Sequence, residues 1–281
     1  SAEPNLGWLE DNAYGMNAEV EDVSEAIATL ALQGPSSTSI LGHAFDGGVA
    51  GLRYYRFRPA RLGAVPVTIS RTGYTGDLGY ELWTESENAE ALWDAMIEHG
   101  MGYGITPAGP LALDMARIEA GLILAEVDYM PSRKAIIESQ RYSPFELSLD
   151  WTVDLRKETF TGRSALLEQQ RLGVPRQIVG LEVDWGTAEA FYRTRGLPPE
   201  PPRTPWRSKV PLYAGLRQVG FGTSGMWSPL LKRYIVIGTV EAAFARAGTV
   251  VEIEVTVEEE RKRAPATVVS RPFFDPPRKR A

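Results

Sequence analysis

Val251-Glu-Ile-Glu-Val-Thr-Val-Glu258 carries an apolar side chain at every second position and a polar one between. Successive side chains of a strand point to opposite faces, so this stretch predicts a strand with one buried and one solvated face. Residues 235–240 and 266–269 are apolar runs of strand length and are expected as its neighbours. Residues 178–183 open the same all-β region. Together they predict a small β-barrel that closes the chain over residues 174–281. Residues 185–211 break the pattern, with prolines at 198, 199, 201, 202 and 205. Proline fixes φ and has no N–H to donate, so this segment is expected to be irregular and partly polyproline II.

Upstream the signals alternate. Residues 27–32 read as a strand closed by Gly34-Pro35, and residues 36–42 as a short helix. Residues 52–57 and 64–70 read as strands. A Gly-rich turn, Arg71-Thr-Gly-Tyr-Thr-Gly-Asp-Leu-Gly-Tyr-Glu-Leu-Trp83, leads into another. Ala89, Leu92, Trp93, Met96 and Ile97 repeat with helical period over residues 87–99, and Leu111, Met115 and Ile118 do so over 108–121. Residues 128–144 read as an extended loop and 161–172 as a helix. The fold class is α+β, with residues 1–173 forming a core separate from the barrel.

Composition narrows the chemistry. The chain has 281 residues, 43% apolar and 23% charged, an ordinary globular balance. A net charge of −6 argues against a nucleic-acid partner, and no apolar run is long enough for a membrane helix. There is no cysteine, which excludes thiolate metal sites and cysteine nucleophiles and fits a reducing, cytoplasmic setting. The only two histidines, His43 and His99, rule out a three-histidine metal site; no metal is expected, and both rings read as structural.

Three constellations remain. Gly220-Phe-Gly-Thr-Ser-Gly225 matches G-x-G-x-x-G, but Pro229 and the all-β context favour a turn over a dinucleotide fingerprint. In the Gly73–Glu81 segment, glycines let backbone approach a flat ligand while Tyr74 and Tyr80 offer aromatic faces. Glu81 there offers a carboxylate that can take two parallel N–H donors of an amino-heterocycle. The more ordinary reading is a hairpin turn with a solvated glutamate. Asp114 and Arg117 are spaced i,i+3 on one helix, ordinarily a solvated pair, and Asp128 follows in a loop where aspartate usually caps a turn. The basic tail Arg278-Lys-Arg280 reads as a solvated terminus.

Five blocks in order carry a resemblance. They are Leu30-Ala-Leu-Gln-Gly-Pro35; Arg71-Thr-Gly-Tyr-Thr-Gly76 with Gly79-Tyr-Glu81; Arg117-Ile-Glu-Ala-Gly-Leu122; Phe160-Thr-Gly-Arg-Ser-Ala165; and Thr223-Ser-Gly225 with Ser228-Pro-Leu230, ending in Pro272-Phe273. The chain resembles the glycine-cleavage T-protein, or aminomethyltransferase, family of tetrahydrofolate-dependent one-carbon transferases. The resemblance implies a multidomain cloverleaf around a channel that holds tetrahydrofolate, ending in a small β-barrel. It implies that Glu81 recognises the pterin and Tyr74 lies beside it. Arg117 and Trp227 are expected to line the channel and Asp128 to make a polar contact near the substrate.

Two departures shape the expectation. Leu113 stands where the family has an arginine, and Leu124-Ala-Glu-Val-Asp128 replaces L-Y-G-N-D, keeping only its first and last residues. These tilt the reading toward a demethylase-like branch that moves a methyl or methylene group from nitrogen, oxygen or sulfur of a small methylated substrate. Family members also carry a segment before the block that Asn5-Leu-Gly-Trp-Leu9 resembles, and it includes the aspartate held to assist transfer. That aspartate is therefore expected upstream of Ser1, and the resemblance assigns its catalytic role to no residue of this chain. The expectation is a fragment, a processed product or one subunit of a split protein, inactive alone if that segment is essential. The alternatives are a non-catalytic folate-binding module or a folate subunit serving a flavin-dependent amine oxidase.

Overall fold

The computed structural model describes residues 3–280. Ser1, ahead of which the assisting aspartate is expected, lies outside the described residues, so that expectation stands without a structural counterpart. Two compact units divide the described chain. The first holds the chain up to Gly73, Asp77–Pro107 and the stretch from Pro276; the second holds Tyr74–Gly76 and Ala108–Asp275.

In the first unit, α1 (Glu3–Ala13) is followed by β1 (Ile27–Gln33), α2 (Ser37–Ala44), β2 (Phe57–Leu62), β3 (Val65–Ser70), β4 (Gly79–Glu85) and α3 (Ala89–Gly100). The strands form one antiparallel sheet in the order β1-β4-β3-β2. Strand alternation decides its core: Leu32, Val67, Ile69, Tyr80 and Leu82 bury against Ile40 and Leu41 of α2 and Leu92 and Met96 of α3. The opposite face carries Ala31, Glu81 and Ser70 in one cross-strand row and Thr29, Trp83 and Thr68 in the next.

Two expectations fail here. Residues 52–56 are not strand: Arg56 N–H closes a turn on the Arg53 carbonyl, and Tyr55 takes φ 59°, so pairing starts only at Phe57. The basic tail is not loose either. Arg278 makes two 2.6 Å bonds to the Asp77 carboxylate, and the buried Arg71 donates to the Lys279 carbonyl at 3.2 Å.

In the second unit, α4 (Pro110–Glu119) and α5 (Arg163–Leu172) precede β5 (Arg176–Val183), α6 (Trp185–Arg193), β6 (Val210–Ala214), β7 (Arg217–Ser228), β8 (Arg233–Glu241), β9 (Val250–Val257) and β10 (Glu260–Val269). The six strands close into a barrel in the order β10-β5-β8-β7-β6-β9. Closure leaves no free edge, and the interior fills with Leu181, Leu212, Val236, Ile253, Ala264 and Ala266. Ile118 of α4 and Leu147 pack on Ile178, Met226, Ile235 and Ile237, covering an outer wall.

The barrel corrects three readings. β8 does not neighbour β9; it pairs with β5 and β7, while β9 pairs with β10 and β6. The segment 185–211 begins with a helix, because Asp184 caps α6 through Gly186 N–H at 3.1 Å and Thr187 Oγ1 at 2.6 Å, and the prolines come only after Arg193. Gly220–Gly225 is not a turn but the interior of β7. Its glycines answer to packing: a Cβ at Gly220 would stand 2.1 Å from the Thr239 carbonyl oxygen, and one at Gly225 2.3 Å from the Trp206 ring.

Candidate functional site

The first candidate cluster lies in the first unit, around Glu81. Gln33, the glutamine of Leu30-Ala-Leu-Gln-Gly-Pro35, donates its amide to the carbonyls of Tyr80 at 3.0 Å and Thr72 at 3.3 Å. A Cβ at Gly73 or Gly79 would lie 2.1 or 2.0 Å from the Gln33 amide oxygen, so a side chain at either position would displace that amide. This clamp fixes both ends of the Gly-rich turn. It sets Glu81 on the open sheet face, half-buried. A chain of hydroxyls then orients its carboxylate. Trp83 Nε1 donates to Ser70 Oγ at 3.1 Å, Ser70 Oγ and Thr72 Oγ1 share a hydrogen bond at 2.8 Å, and Thr72 Oγ1 donates to Glu81 Oε2 at 2.5 Å. Among the described residues no donor reaches Glu81 Oε1, which is left for another partner. Tyr80, expected as an aromatic face for a ligand, points the other way: it is 2% exposed in the core and bonds Thr38 through its hydroxyl.

The second cluster lies in the second unit, around Arg117. The expected solvated pair is buried, with Arg117 1% and Asp114 3% exposed, because α4 presses this face onto β7. Arg117 Nε donates to Asp114 Oδ1 at 2.7 Å, Nη1 to Asp128 Oδ2 at 2.6 Å and Nη2 to Ser224 Oγ at 2.8 Å. Asp128 is no ordinary turn cap. It is 1% exposed, and besides Arg117 it accepts from Leu124 N–H at 2.8 Å, Thr223 Oγ1 at 2.6 Å and Ser224 Oγ at 2.7 Å. A shift in β7 register between Gly222 and Ser224 brings two consecutive hydroxyls to one carboxylate oxygen, which regular alternation forbids.

Asp114 Oδ2 accepts from Arg207 Nε at 2.9 Å. Burial alone would raise the Asp114 pKa, but the hydrogen bonds from Arg207 and Arg117 prevail and hold it below the ordinary carboxylate value. Arg207 is half exposed and reaches this network from the end of the Pro-rich segment. Tyr74 donates its hydroxyl to the Ile123 carbonyl at 3.1 Å. Burial raises its pKa, opposed by Arg117 and reinforced by Asp128.

Of the expected residues, the structure thus brings Tyr74, Arg117 and Asp128 into one unit. Glu81 belongs to the other. Trp227 stands apart from the Arg117 network. Its ring meets Trp185 edge-on at 5.3 Å, and its backbone N–H donates to the Pro202 carbonyl at 2.8 Å, fastening the Pro-rich segment to the barrel. The aspartate expected upstream of Ser1 falls outside the described residues. Thr223, Ser224 and Arg207 were not expected as site residues. Thr223-Ser sits in a matched block, and Leu113 without its arginine was the one hint that a cation would come from elsewhere.

Comparison with known proteins supports this architecture. Residues 1–157 match the family model described as the GCVT N-terminal domain, and residues 176–275 match the glycine cleavage T-protein C-terminal barrel domain. An aminomethyltransferase of Moorella thermoacetica is 35% identical over 98% of this chain and 67% of its own length. A trimethylamine-oxide aldolase of Ruegeria pomeroyi is 34% identical over 97% of this chain but 33% of its own. The crystal structure of glycine cleavage system aminomethyltransferase T from Bartonella henselae superposes with a TM-score of 0.76 at 26% identity, covering 98% of this chain and 66% of that one. The chain spans about two thirds of the aminomethyltransferases it matches. Family models covering both units, and relatives aligned along almost the whole chain, make it a member of the glycine cleavage T-protein family.

Proposed function

We propose that the protein transfers a methyl or aminomethyl one-carbon group from a small N-, O- or S-methylated substrate to tetrahydrofolate. The observation that carries this reading is Glu81, a carboxylate held by Thr72 with its second oxygen available on an open face. The pterin presents an amino group beside a ring N–H, a donor pair that a carboxylate matches. The residues therefore fit the cofactor that the family uses. Bound tetrahydrofolate supplies a nucleophilic ring nitrogen. The chain contributes binding and orientation, a strategy in which proximity does most of the work.

The second unit contributes a rigid framework. Tyr74 stays protonated at neutral pH, because burial raises its pKa, and it offers a ring held by the bond to Ile123. Arg117 and Asp128 spend their hydrogen bonds on the protein, so both act as positioning residues. The demethylase-like assignment rests on Leu113, an exposed apolar side chain in place of a cation, and gains support from the trimethylamine-oxide aldolase relative. A cytoplasmic setting belongs to the same proposal, supported by the cysteine-free composition.

The test is turnover with tetrahydrofolate across methylated amines, methoxy-aromatics and sulfonium compounds, following the one-carbon folate product by chromatography. Product must form and must fall with Glu81→Gln. Demethylation that proceeds without tetrahydrofolate would overturn the proposal.

A further inference from the structure

A cavity of about 550 Å³ opens in the second unit between the loop after α4 and the ends of β7 and β8. Its volume lies within the range of small-molecule sites. Tyr129, Tyr142 and Phe221 supply three aromatic walls. The Tyr142 ring is held rigid. The Arg176 guanidinium stacks on it at 3.7 Å, and that arginine is itself tied to Glu146 at 3.0 Å, to the Ser139 carbonyl at 2.6 Å and to the Arg141 carbonyl. The Tyr129 ring meets Tyr142 edge-on at 6.4 Å.

The charges around the cavity are unequal in their commitments. The lining carboxylates Glu126, Asp128 and Glu241 are paired with Lys134, Arg117 and Arg217. Lys209 also lines the cavity, and its Nζ lies 5.8 Å from the Phe221 ring centre. It has no carboxylate partner among the described residues. An uncommitted ammonium above one of three ring walls selects a flat ligand that carries one negative charge.

We infer that this cavity is a second ligand site, taking a planar aromatic carboxylate whose ring packs among Tyr129, Tyr142 and Phe221 and whose carboxylate meets Lys209. Glu81, the residue proposed to receive tetrahydrofolate, is not part of this cavity's lining. Asp128 and Thr223 form part of the cavity wall, so a bound ligand abuts the buried Arg117 network.

The probe is 4-hydroxyphenylacetate, with uncharged 4-hydroxyphenylacetamide as its partner, titrated into the whole chain by calorimetry and by saturation-transfer NMR. The acid is expected to bind saturably with a dissociation constant on the order of 1 mM, as suits a ligand of its size. The amide, or the acid with Lys209→Gln, binds about 10-fold more weakly, because one charge-assisted contact is lost. Lys209→Arg restores binding, Phe221→Ala weakens it, and Glu81→Gln leaves it unchanged. Lys209 and Phe221 are exposed, so the variants fold, and circular dichroism checks that they do. Absence of saturable binding, equal binding of acid and amide, or indifference to Lys209→Gln would each overturn the inference.

Discussion

Asp128→Ala removes the acceptor on which the interior of the second unit converges. Four donors lose a bond at once: Arg117 Nη1 and Thr223 Oγ1, which keep the Leu122 and Ile237 carbonyls, and the Leu124 N–H and Ser224 Oγ. Neither Arg117 nor Ser224 can turn to water, since Arg117 is 1% and Ser224 0% exposed. Breaking a buried ion pair from one side costs about 3–5 kcal/mol, chiefly for the charge left behind. Asp114 still faces Arg117 at 2.7 Å and moderates that loss, while each orphaned hydroxyl or amide adds about 1 kcal/mol or more. The expected destabilisation is therefore about 4 kcal/mol, or on the order of 10 °C in the melting temperature of a unit this size. Urea unfolding followed by far-UV circular dichroism measures it. A double-mutant cycle isolates the cause. Arg117→Met alone leaves Asp128 buried with its hydroxyl donors, so the double variant must be less damaged than the sum of the singles, by at least about 1 kcal/mol. A loss below about 1 kcal/mol for Asp128→Ala, or strict additivity, would refute the claim that this network holds α4 to the barrel.

Two further predictions concern pH. Burial pushes the Tyr234 hydroxyl up to about 12, against an ordinary value of about 10. Its folded pKa is raised, so the stability it supports is complete below pH 10 and falls by about 2–3 kcal/mol as pH climbs to 12. Tyr234→Phe should flatten that alkaline limb in urea titrations; an unchanged limb would contradict the assignment. Burial also raises the Glu119 pKa, opposed by hydrogen bonds from Ser228 and Leu230. The protonated form is thus favoured in the fold, and stability drops as pH rises past the ordinary glutamate value. Glu119→Gln should gain on the wild type at pH 7 and lose that advantage near pH 4, as thermal melts across that range will show.

The parts of this protein that announced themselves are those where one residue property dominates. Alternation at Val251–Val257 exposed a barrel strand, and helical spacing exposed α3 and α4, because burial of one face leaves a periodic trace. Local exceptions stayed hidden. The turn ahead of β2 depends on a left-handed tyrosine, and α6 depends on a cap from Asp184 that Pro198 and its neighbours obscured. The site divides in the same way. Glu81 stood out because a carboxylate beside aromatics and glycines is chemically conspicuous. Arg117 and Asp128 were visible as residues, but not as a buried pair, since their burial is decided by β7, about a hundred positions away along the chain. The two hydroxyls that serve Asp128 depend on a bulge, and nothing in Gly222-Thr-Ser-Gly225 marks one before the partner strand is known. Arg207 lies in a segment whose prolines predict irregular backbone, yet Asp114 holds it as a second cation beside Arg117.

The central claim is that Glu81 receives the pterin of tetrahydrofolate. Calorimetric titration of tetrahydrofolate into the wild-type protein and the Glu81→Gln variant tests it most directly. Replacing a charged acceptor by an amide forfeits roughly 1.5–3 kcal/mol, so the variant should bind about 10- to 100-fold more weakly. Its melting temperature without ligand should stay unchanged, because Thr72 can still bond the amide oxygen. Equal affinity in the two proteins, or no binding by the wild type, would contradict the account.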